Sequence, residues 1–79
     1  MAKSKKTKFE LHVINKVRDR RIELHLSQDD LAFYLNVSRS FIGQVESPNY
    51  PTKYNLNHLN ILAKELRCSP KDFLPEESL

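Results

Sequence analysis

The residues of this sequence whose types and spacing suit chemistry lie between Ser27 and Glu46. Arg39, Ser40 and Gln44 carry hydrogen-bond donors and acceptors, and in a helix they would share one broad face with the small Gly43. Long polar side chains separated by small ones form a surface that another molecule can recognise. No nucleophile–base pair, phosphate-binding loop or metal-ligand cluster can be assembled from the sequence. The pattern therefore predicts a binding surface and not an enzyme.

Two helix starts lie within this stretch. Ser27 and Asp30 form the S-x-x-D pattern of a capping box, in which each side chain accepts a hydrogen bond from the other residue's backbone N–H. The helix should stop at Asn36, which tolerates the left-handed conformation. Ser38 then caps a second helix over about residues 38–47. Two helices joined by so short a connection must cross steeply, so the stretch predicts a helix-turn-helix.

Apolar periodicity predicts three more helices around this pair. A broken helical stripe that includes Ile22 covers about residues 9–23, and Asn55 caps a segment in which leucines recur three and four residues apart from Leu56 to Leu66. Ser69 caps a last short helix over about residues 70–74, with Pro70 at its first position. We therefore expect an all-α, compact five-helix domain. The predicted parts are a flexible basic arm (1–8), a helix-turn-helix domain (9–75) and a short tail (76–79).

Composition limits the fold and its surroundings. The chain has 79 residues with 39% hydrophobic and 29% charged side chains, one Gly and no Trp, which suits one small helical domain. The single Cys68 cannot form an internal disulfide, and the three histidines lack the spacing of helical metal ligands. No apolar run approaches the length of a membrane span. We expect a cytoplasmic protein without metal, cofactor or membrane contact.

The net charge of +3 is concentrated at the start of the chain. Residues 1–26 hold eight basic and three acidic side chains, whereas residues 27–47 hold one basic and three acidic. A basic arm can attract phosphate without sequence preference, and it is equally common as a solubilising tail, so both interpretations stay open. The arm's lysines are Lys3, Lys5, Lys6 and Lys8.

From about Arg21 to Leu74 the sequence resembles the phage-repressor-like helix-turn-helix domains of the XRE family. The resemblance is carried by RIELHLSQDDLAFYLNVSRSFIGQVE and LNILAKELRCSPKDFL, which hold the family's S-Q, L-A and V-S-R-S positions. One departure is the segment ESPNYPTKYN, which is longer than the family's turn at this place and lacks its glycine. The resemblance implies a five-helix transcriptional regulator, typically a repressor, that binds near-palindromic double-stranded DNA on the nucleoid as a homodimer.

The resemblance also implies roles for individual residues. Gln28 matches a glutamine that contacts backbone phosphate and braces the recognition helix, while Arg21 and Glu46 match a structural ion pair. Four residues of the second helix match base-facing or phosphate-facing positions: Ser38, Arg39, Ser40 and Gln44. In such positions an arginine can bind guanine O6 and N7, a glutamine can bind adenine N6 and N7, and serines suit phosphate.

Two questions stay open at this point. In the family the following loop touches the sugar-phosphate backbone, so Asn49 and Lys53 would contact DNA, or the loop would be a plain connector. The whole surface could instead belong to a protein-interaction module, such as an antitoxin-like partner whose DNA binding is secondary or lost. Phe73, Leu74 and the tail are one candidate surface for a dimer.

Overall fold

The computed structural model describes residues 5–79, which form four α-helices and one short 3-10 helix. The α-helices are α1 (Lys8–Glu23), α2 (Gln28–Leu35), α3 (Arg39–Glu46) and α4 (Leu56–Glu65), and the 3-10 helix spans Pro70–Phe73. The prediction of an all-α helix-turn-helix fold is confirmed. The predicted fifth helix is only this four-residue 3-10 segment, because Pro70 opens it and Pro75, which cannot continue a helical hydrogen-bond ladder, follows closely.

Polar side chains cap the predicted helix starts. Ser27 and Asp30 form the expected capping box, in which Asp30 N donates to Ser27 Oγ at 3.1 Å and Ser27 N donates to Asp30 Oδ2 at 2.8 Å. Ser38, Asn55 and Ser69 cap α3, α4 and the 3-10 helix as the sequence predicted. Because each cap satisfies backbone N–H groups that have no partner within the helix, these residues fix where the helices begin.

The start of α1 corrects a predicted boundary. Thr7 caps this helix: Glu10 N donates to Thr7 Oγ1 at 3.1 Å, and Thr7 N donates to Glu10 Oε1 at 2.9 Å. The helix therefore begins at Lys8, within the segment predicted as a flexible arm. The spacing T-x-x-E is itself a capping-box pattern and could have located this start. Residues 1–4 of the predicted arm lie outside the described residues.

Three helices end with a residue in the left-handed region, and none of the three is glycine. The φ angle is 60° at His25, 56° at Asn36 and 59° at Arg67. In each case the N–H of the following residue donates to a carbonyl five residues earlier at 2.9–3.0 Å, which closes the helix end. The sequence predicted this conformation only at Asn36, because histidine and arginine do not mark a left-handed position.

The core lies where the four α-helices and the 3-10 helix meet. Its largest fully buried side chains are Phe73, Leu31, Ile42, Leu62, Leu66, Val17 and Val45. Phe73 is 1% exposed, so its predicted place on a dimer surface is wrong. Ile22 and Leu56, which the helical stripes predicted to be buried, are 51% and 83% exposed. Both lie in the terminal turn of a helix, where the periodicity continues beyond the packed surface.

Candidate nucleic-acid interface

A connection of three residues joins α2 to α3. Asn36 ends α2 in the left-handed conformation, and Ser38 Oγ accepts a hydrogen bond from Phe41 N at 3.1 Å to start α3. Ala32, 6% exposed, lets α3 approach α2 closely, and Ile42 on the inner face of α3 is 0% exposed. With its inner face buried in this way, α3 presents its outer face to solvent.

The N-terminal half of this outer face is open. Ser38, Arg39 and Ser40 are all exposed. Arg39 Nε lies 3.6 Å from Asp29 Oδ1, and the two side chains are 69% and 71% exposed. An ion pair in water contributes little to stability, so the Arg39 guanidinium can exchange Asp29 for a phosphate or a base edge at small cost. Arg39, Ser40 and Gly43 line one shallow groove with Gln28 from α2.

A partly buried ion pair supports the other end of α3. Arg21 Nε donates to Glu46 Oε2 at 3.0 Å, and Arg21 Nη2 donates to Glu46 Oε1 at 2.9 Å. The remaining Arg21 nitrogen, Nη1, donates to the Leu26 carbonyl at 2.9 Å, in the connection between α1 and α2. The two charged side chains are only 13% and 6% exposed. This pair therefore links α1, the connection that follows it and the end of α3.

Gln28 joins the same cluster. Its Nε2 donates to Glu46 Oε1 at 3.0 Å, which ties the first residue of α2 to the last residue of α3. The carboxamide has a second N–H and an oxygen for which the structure records no hydrogen-bond partner. Gln28 is thus placed where it can orient α3 and still contact a phosphate beside the groove.

Lys6 also supports the end of α3, and the sequence analysis missed this role. Its ammonium donates to the Gln44 carbonyl at 3.0 Å and to the Ser47 carbonyl. The residue is 6% exposed, and burial lowers the pKa of its ammonium group. A cation at this place is favourable because the last carbonyls of a helix carry partial negative charge. The prediction that Lys6 adds to a solvent-exposed basic arm is therefore wrong, whereas Lys5 and Lys8 are exposed.

The loop after α3 is held at several points. Lys53 forms an ion pair with Glu10 on α1, and this contact lowers the pKa of the Glu10 carboxyl. Thr52 Oγ1 donates to Gln44 Oε1 at 2.9 Å, so the loop is also tied to the outer face of α3. Asn49 is exposed, and its backbone N–H donates to Ser47 Oγ at 3.3 Å. The loop therefore has a defined course beside α3 despite its extra length.

These contacts divide the predicted site residues into two groups. The structure brings Gln28, Arg39, Ser40 and Gly43 together around one groove, with Ser38 at its N-terminal edge. Gln44 lies half-buried towards the loop, Asn49 lies beyond Ser47, and Lys53 lies against α1. Thr52 was not predicted at all, because an isolated threonine in a loop carries no pattern that points to its partner.

Comparison with known families bears directly on this geometry. The helix-turn-helix family model HTH_3 matches residues 17–73, which include α2, α3 and the elements that follow them. The chain belongs to this helix-turn-helix family. The resemblance predicted from the sequence is thereby confirmed, and with it the class of DNA-binding transcriptional regulators of the XRE type.

Two solved structures are similar to this helix-turn-helix protein over most of its length. The restriction-modification controller protein C.AhdI from Aeromonas hydrophila is 28% identical, with a TM-score of 0.67, and the match covers 81% of this chain and 94% of that chain. A point mutant of the restriction-modification controller protein C.Esp1396I is 25% identical, with a TM-score of 0.71, and the match covers 86% and 84% of the two chains. A search of curated proteins gives no match.

Hydropathy adds one finding about this helix-turn-helix protein. Among residues 5–79, none of the helices has the length and apolar character that crossing a membrane requires.

Proposed function

We propose that this protein binds a specific double-stranded DNA sequence by inserting α3 into the major groove, and that it represses transcription there. The observation that carries the proposal is the open N-terminal half of α3, where Ser38, Arg39 and Ser40 are exposed on a helix whose inner face is buried. In helix-turn-helix proteins the N-terminal residues of the second helix contact base edges. A protein seated in the groove also excludes other proteins from the same DNA, which supports repression.

Each polar residue around the groove has a proposed role. Arg39 binds guanine through O6 and N7, because its fork of N–H donors matches these two acceptors. Ser38 and Ser40 bind phosphate oxygens, and Gln28 contacts a further phosphate from the first position of α2. Asn49 and Lys53 contact the sugar-phosphate backbone beyond α3. The Lys53 ammonium has three N–H donors, so it can contact a phosphate while it remains paired with Glu10.

The proposal is tested by measuring affinity for an operator selected from random duplex DNA. Arg39→Ala should cost about 1–3 kcal/mol of binding free energy and relax the preference at one base pair. The free energy of unfolding should change by less than about 0.5 kcal/mol, because the side chain is exposed. Replacing Lys5 and Lys8, the exposed lysines in the described part of the predicted arm, should weaken binding to all sequences and flatten the salt dependence instead. An equal loss on all sequences after Arg39→Ala would refute its role in base recognition.

We also propose that two copies bind a near-palindromic operator. Phe9, Leu56 and Leu74 are 41%, 83% and 42% exposed, and all three flank one apolar groove. The charged rim of this groove holds Glu10 and Lys53, which neutralise each other, so a second copy would meet no like-charge repulsion. The two similar structures are of restriction-modification controller proteins, which supports a role in controlling other genes. We propose that the protein is located in the cytoplasm, on the nucleoid.

The dimer is tested by substituting two hydrophobic residues that are equally exposed, one inside the apolar groove and one outside it. Leu56→Asp should lower the dimer fraction in sedimentation and weaken operator binding, because it places a charge in the apolar groove. Phe33→Asp is the control: Phe33 is 82% exposed but lies on α2, outside that groove. Equal effects of both substitutions, or an operator without symmetry, would argue against two copies meeting at this surface.

The second candidate function is a protein-interaction module. It is favoured by Phe33, whose ring is exposed on α2 and has an edge contact with Tyr34 at a centroid distance of 6.2 Å. Exposed aromatic side chains are common at protein interfaces. Copurification of one stoichiometric protein, together with no shift of random duplex DNA at low salt, would favour this candidate over DNA binding.

A further inference from the structure

The side chain of Gln44 is held on one of its two polar atoms. Thr52 Oγ1 donates to Gln44 Oε1 at 2.9 Å in a partly buried contact. The carboxamide oxygen therefore faces the loop. The two N–H groups on Nε2 lie on the other side of the carboxamide, and among residues 5–79 they have no recorded hydrogen-bond acceptor.

The backbone on both sides of this contact is fixed. The Gln44 carbonyl accepts hydrogen bonds from the Lys6 ammonium at 3.0 Å and from Ser47 N at 3.2 Å. On the loop side, Tyr54 is 9% exposed and Lys53 is paired with Glu10. The hydroxyl of Thr52 lies on a β-branched side chain, whose rotamers are restricted. The Thr52 hydroxyl is thus held within reach of the carboxamide, and its hydrogen bond to Oε1 favours one orientation of the amide.

The orientation of a glutamine amide decides which base it fits. Adenine offers an acceptor at N7 and a donor at N6, so a glutamine needs both its N–H and its oxygen to bind it. Guanine offers two acceptors, N7 and O6, and thymine offers one, O4. A glutamine whose oxygen already accepts one hydrogen bond presents two N–H donors and a single remaining lone pair, an arrangement that favours the two acceptors of guanine over the acceptor and donor of adenine.

We propose that Thr52 sets the base preference of this protein, because it holds the Gln44 carboxamide with its N–H donors outward and makes Gln44 select guanine over adenine. This inference rests on the proposed function, since it requires α3 to face DNA. It also replaces the expectation from the sequence that Gln44 binds adenine. Thr52 is a positioning residue, because it acts on DNA only through Gln44.

The experiment is selection from random duplex DNA with the intact protein, followed by affinity measurements. Gln44→Ala identifies the base pair that Gln44 recognises, as the one whose preference is lost. At that position the wild-type protein should bind guanine more tightly than adenine by roughly 5- to 150-fold, the range for one good base contact. Thr52→Val removes the hydroxyl at similar shape and frees the carboxamide to turn, so the discrimination should fall to less than about threefold.

Two controls separate this role from a structural one. Thr52→Ser keeps the hydroxyl and should keep the guanine preference, whereas a loss caused only by loop damage would appear as lower affinity for all bases. A wild-type preference for adenine at the Gln44 position, or the same preference in wild type and Thr52→Val, would overturn the inference while leaving DNA binding intact. If the wild-type protein selects no duplex sequence, the proposed function itself fails.

Discussion

The two halves of α3 differ in how they are held. The N-terminal half carries Ser38, Arg39 and Ser40, all exposed, with one weak ion pair to Asp29. In the C-terminal half, the Gln44 carbonyl accepts a hydrogen bond from buried Lys6, and Glu46 receives three hydrogen bonds from Arg21 and Gln28.

In the proposed DNA complex, this contrast separates recognition from support along one helix of eight residues. The side chains that we propose to meet DNA would break few contacts within the protein on binding, because they are exposed and make one weak ion pair. The charged side chains that hold the helix are mostly buried and paired with hydrogen-bonding partners, since an unpaired charge there would be costly. The helix can therefore be positioned before DNA arrives, which lowers the ordering cost of binding.

The largest expected effect comes from Glu46→Ala. It leaves the Arg21 guanidinium partly buried without its carboxylate, so the free energy of unfolding should fall by about 3–5 kcal/mol. Urea unfolding measures this change. The control is Glu23→Ala, which removes a carboxylate 2.6 Å from Arg20 but 66% exposed, and which should cost less than about 1 kcal/mol. Similar losses in both variants would mean that the C-terminal half of α3 is not specially held.

Lys6→Met tests the second support. Methionine keeps the unbranched stem but removes the ammonium, so two carbonyls at the end of α3 lose a donor and the free energy of unfolding should fall by about 1–3 kcal/mol. Lys5→Met, at the exposed neighbouring position, should change it by less than about 0.5 kcal/mol. The salt dependence of DNA binding should flatten for Lys5→Met and not for Lys6→Met. The opposite pattern would place Lys6 among the phosphate contacts.

A pH effect tests the buried side of the N-terminal half of α3, where Phe41 contacts α4. Phe41 packs edge-on against His58, whose Nδ1 accepts a hydrogen bond from Asn55 N at 3.1 Å and must therefore be unprotonated. Burial lowers the pKa of His58 below its ordinary value of 6.5. Neutral His58 thus stabilises the fold at pH values above 6.5. This contribution is lost as the pH falls through the lowered pKa of His58.

His58→Gln isolates this contribution. Glutamine can still accept the Asn55 N–H as in an ordinary capping box, but it does not titrate. Between about pH 7.5 and pH 5 the wild-type protein should lose about 0.5–1.5 kcal/mol more unfolding free energy than the variant, the typical net value of one hydrogen bond. Parallel pH profiles in thermal unfolding would show that His58 does not control this end of α4.

The smallest effect is expected at Gly43, between the two halves. A Cβ built there would lie 3.7 Å from Gln28 Oε1, an ordinary contact, so alanine should raise the free energy of unfolding by about 0.5–1 kcal/mol through helix propensity. The same methyl should weaken operator binding, because it stands on the face of α3 that we propose to meet DNA. A variant that is more stable and binds DNA as tightly as wild type would remove Gly43 from the interface.

Much of the helix pattern follows from local chemistry and was predictable. Ser27, Ser38, Asn55 and Ser69 cap helices where the sequence placed them, and Asn36 is left-handed as expected. These are interactions between residues only a few positions apart, so their spacing alone encodes them. The T-x-x-E pattern of Thr7 and Glu10 is a local interaction of the same kind, and its spacing also encodes the start of α1.

The contacts that hold α3 and the loop after it join residues far apart in the chain. Lys6 and Gln44 are 38 positions apart, and Lys53 and Glu10 are 43 apart. A lysine in a basic segment has the same sequence pattern whether its ammonium is in water or at the end of a helix. Composition therefore predicted a uniformly exposed arm, and only the path of the chain shows which lysine is buried.

By itself, the sequence determined the helical class, the helix starts, the helix-turn-helix and its exposed polar face, because periodicity and capping depend on neighbours along the chain. The tertiary structure decided which residues support that face and how they are oriented: Lys6 under the end of α3, and Thr52 against the Gln44 carboxamide. Hydrogen bonds across the fold depend on distances and angles set by the packing of all the helices together. No local pattern contains that information.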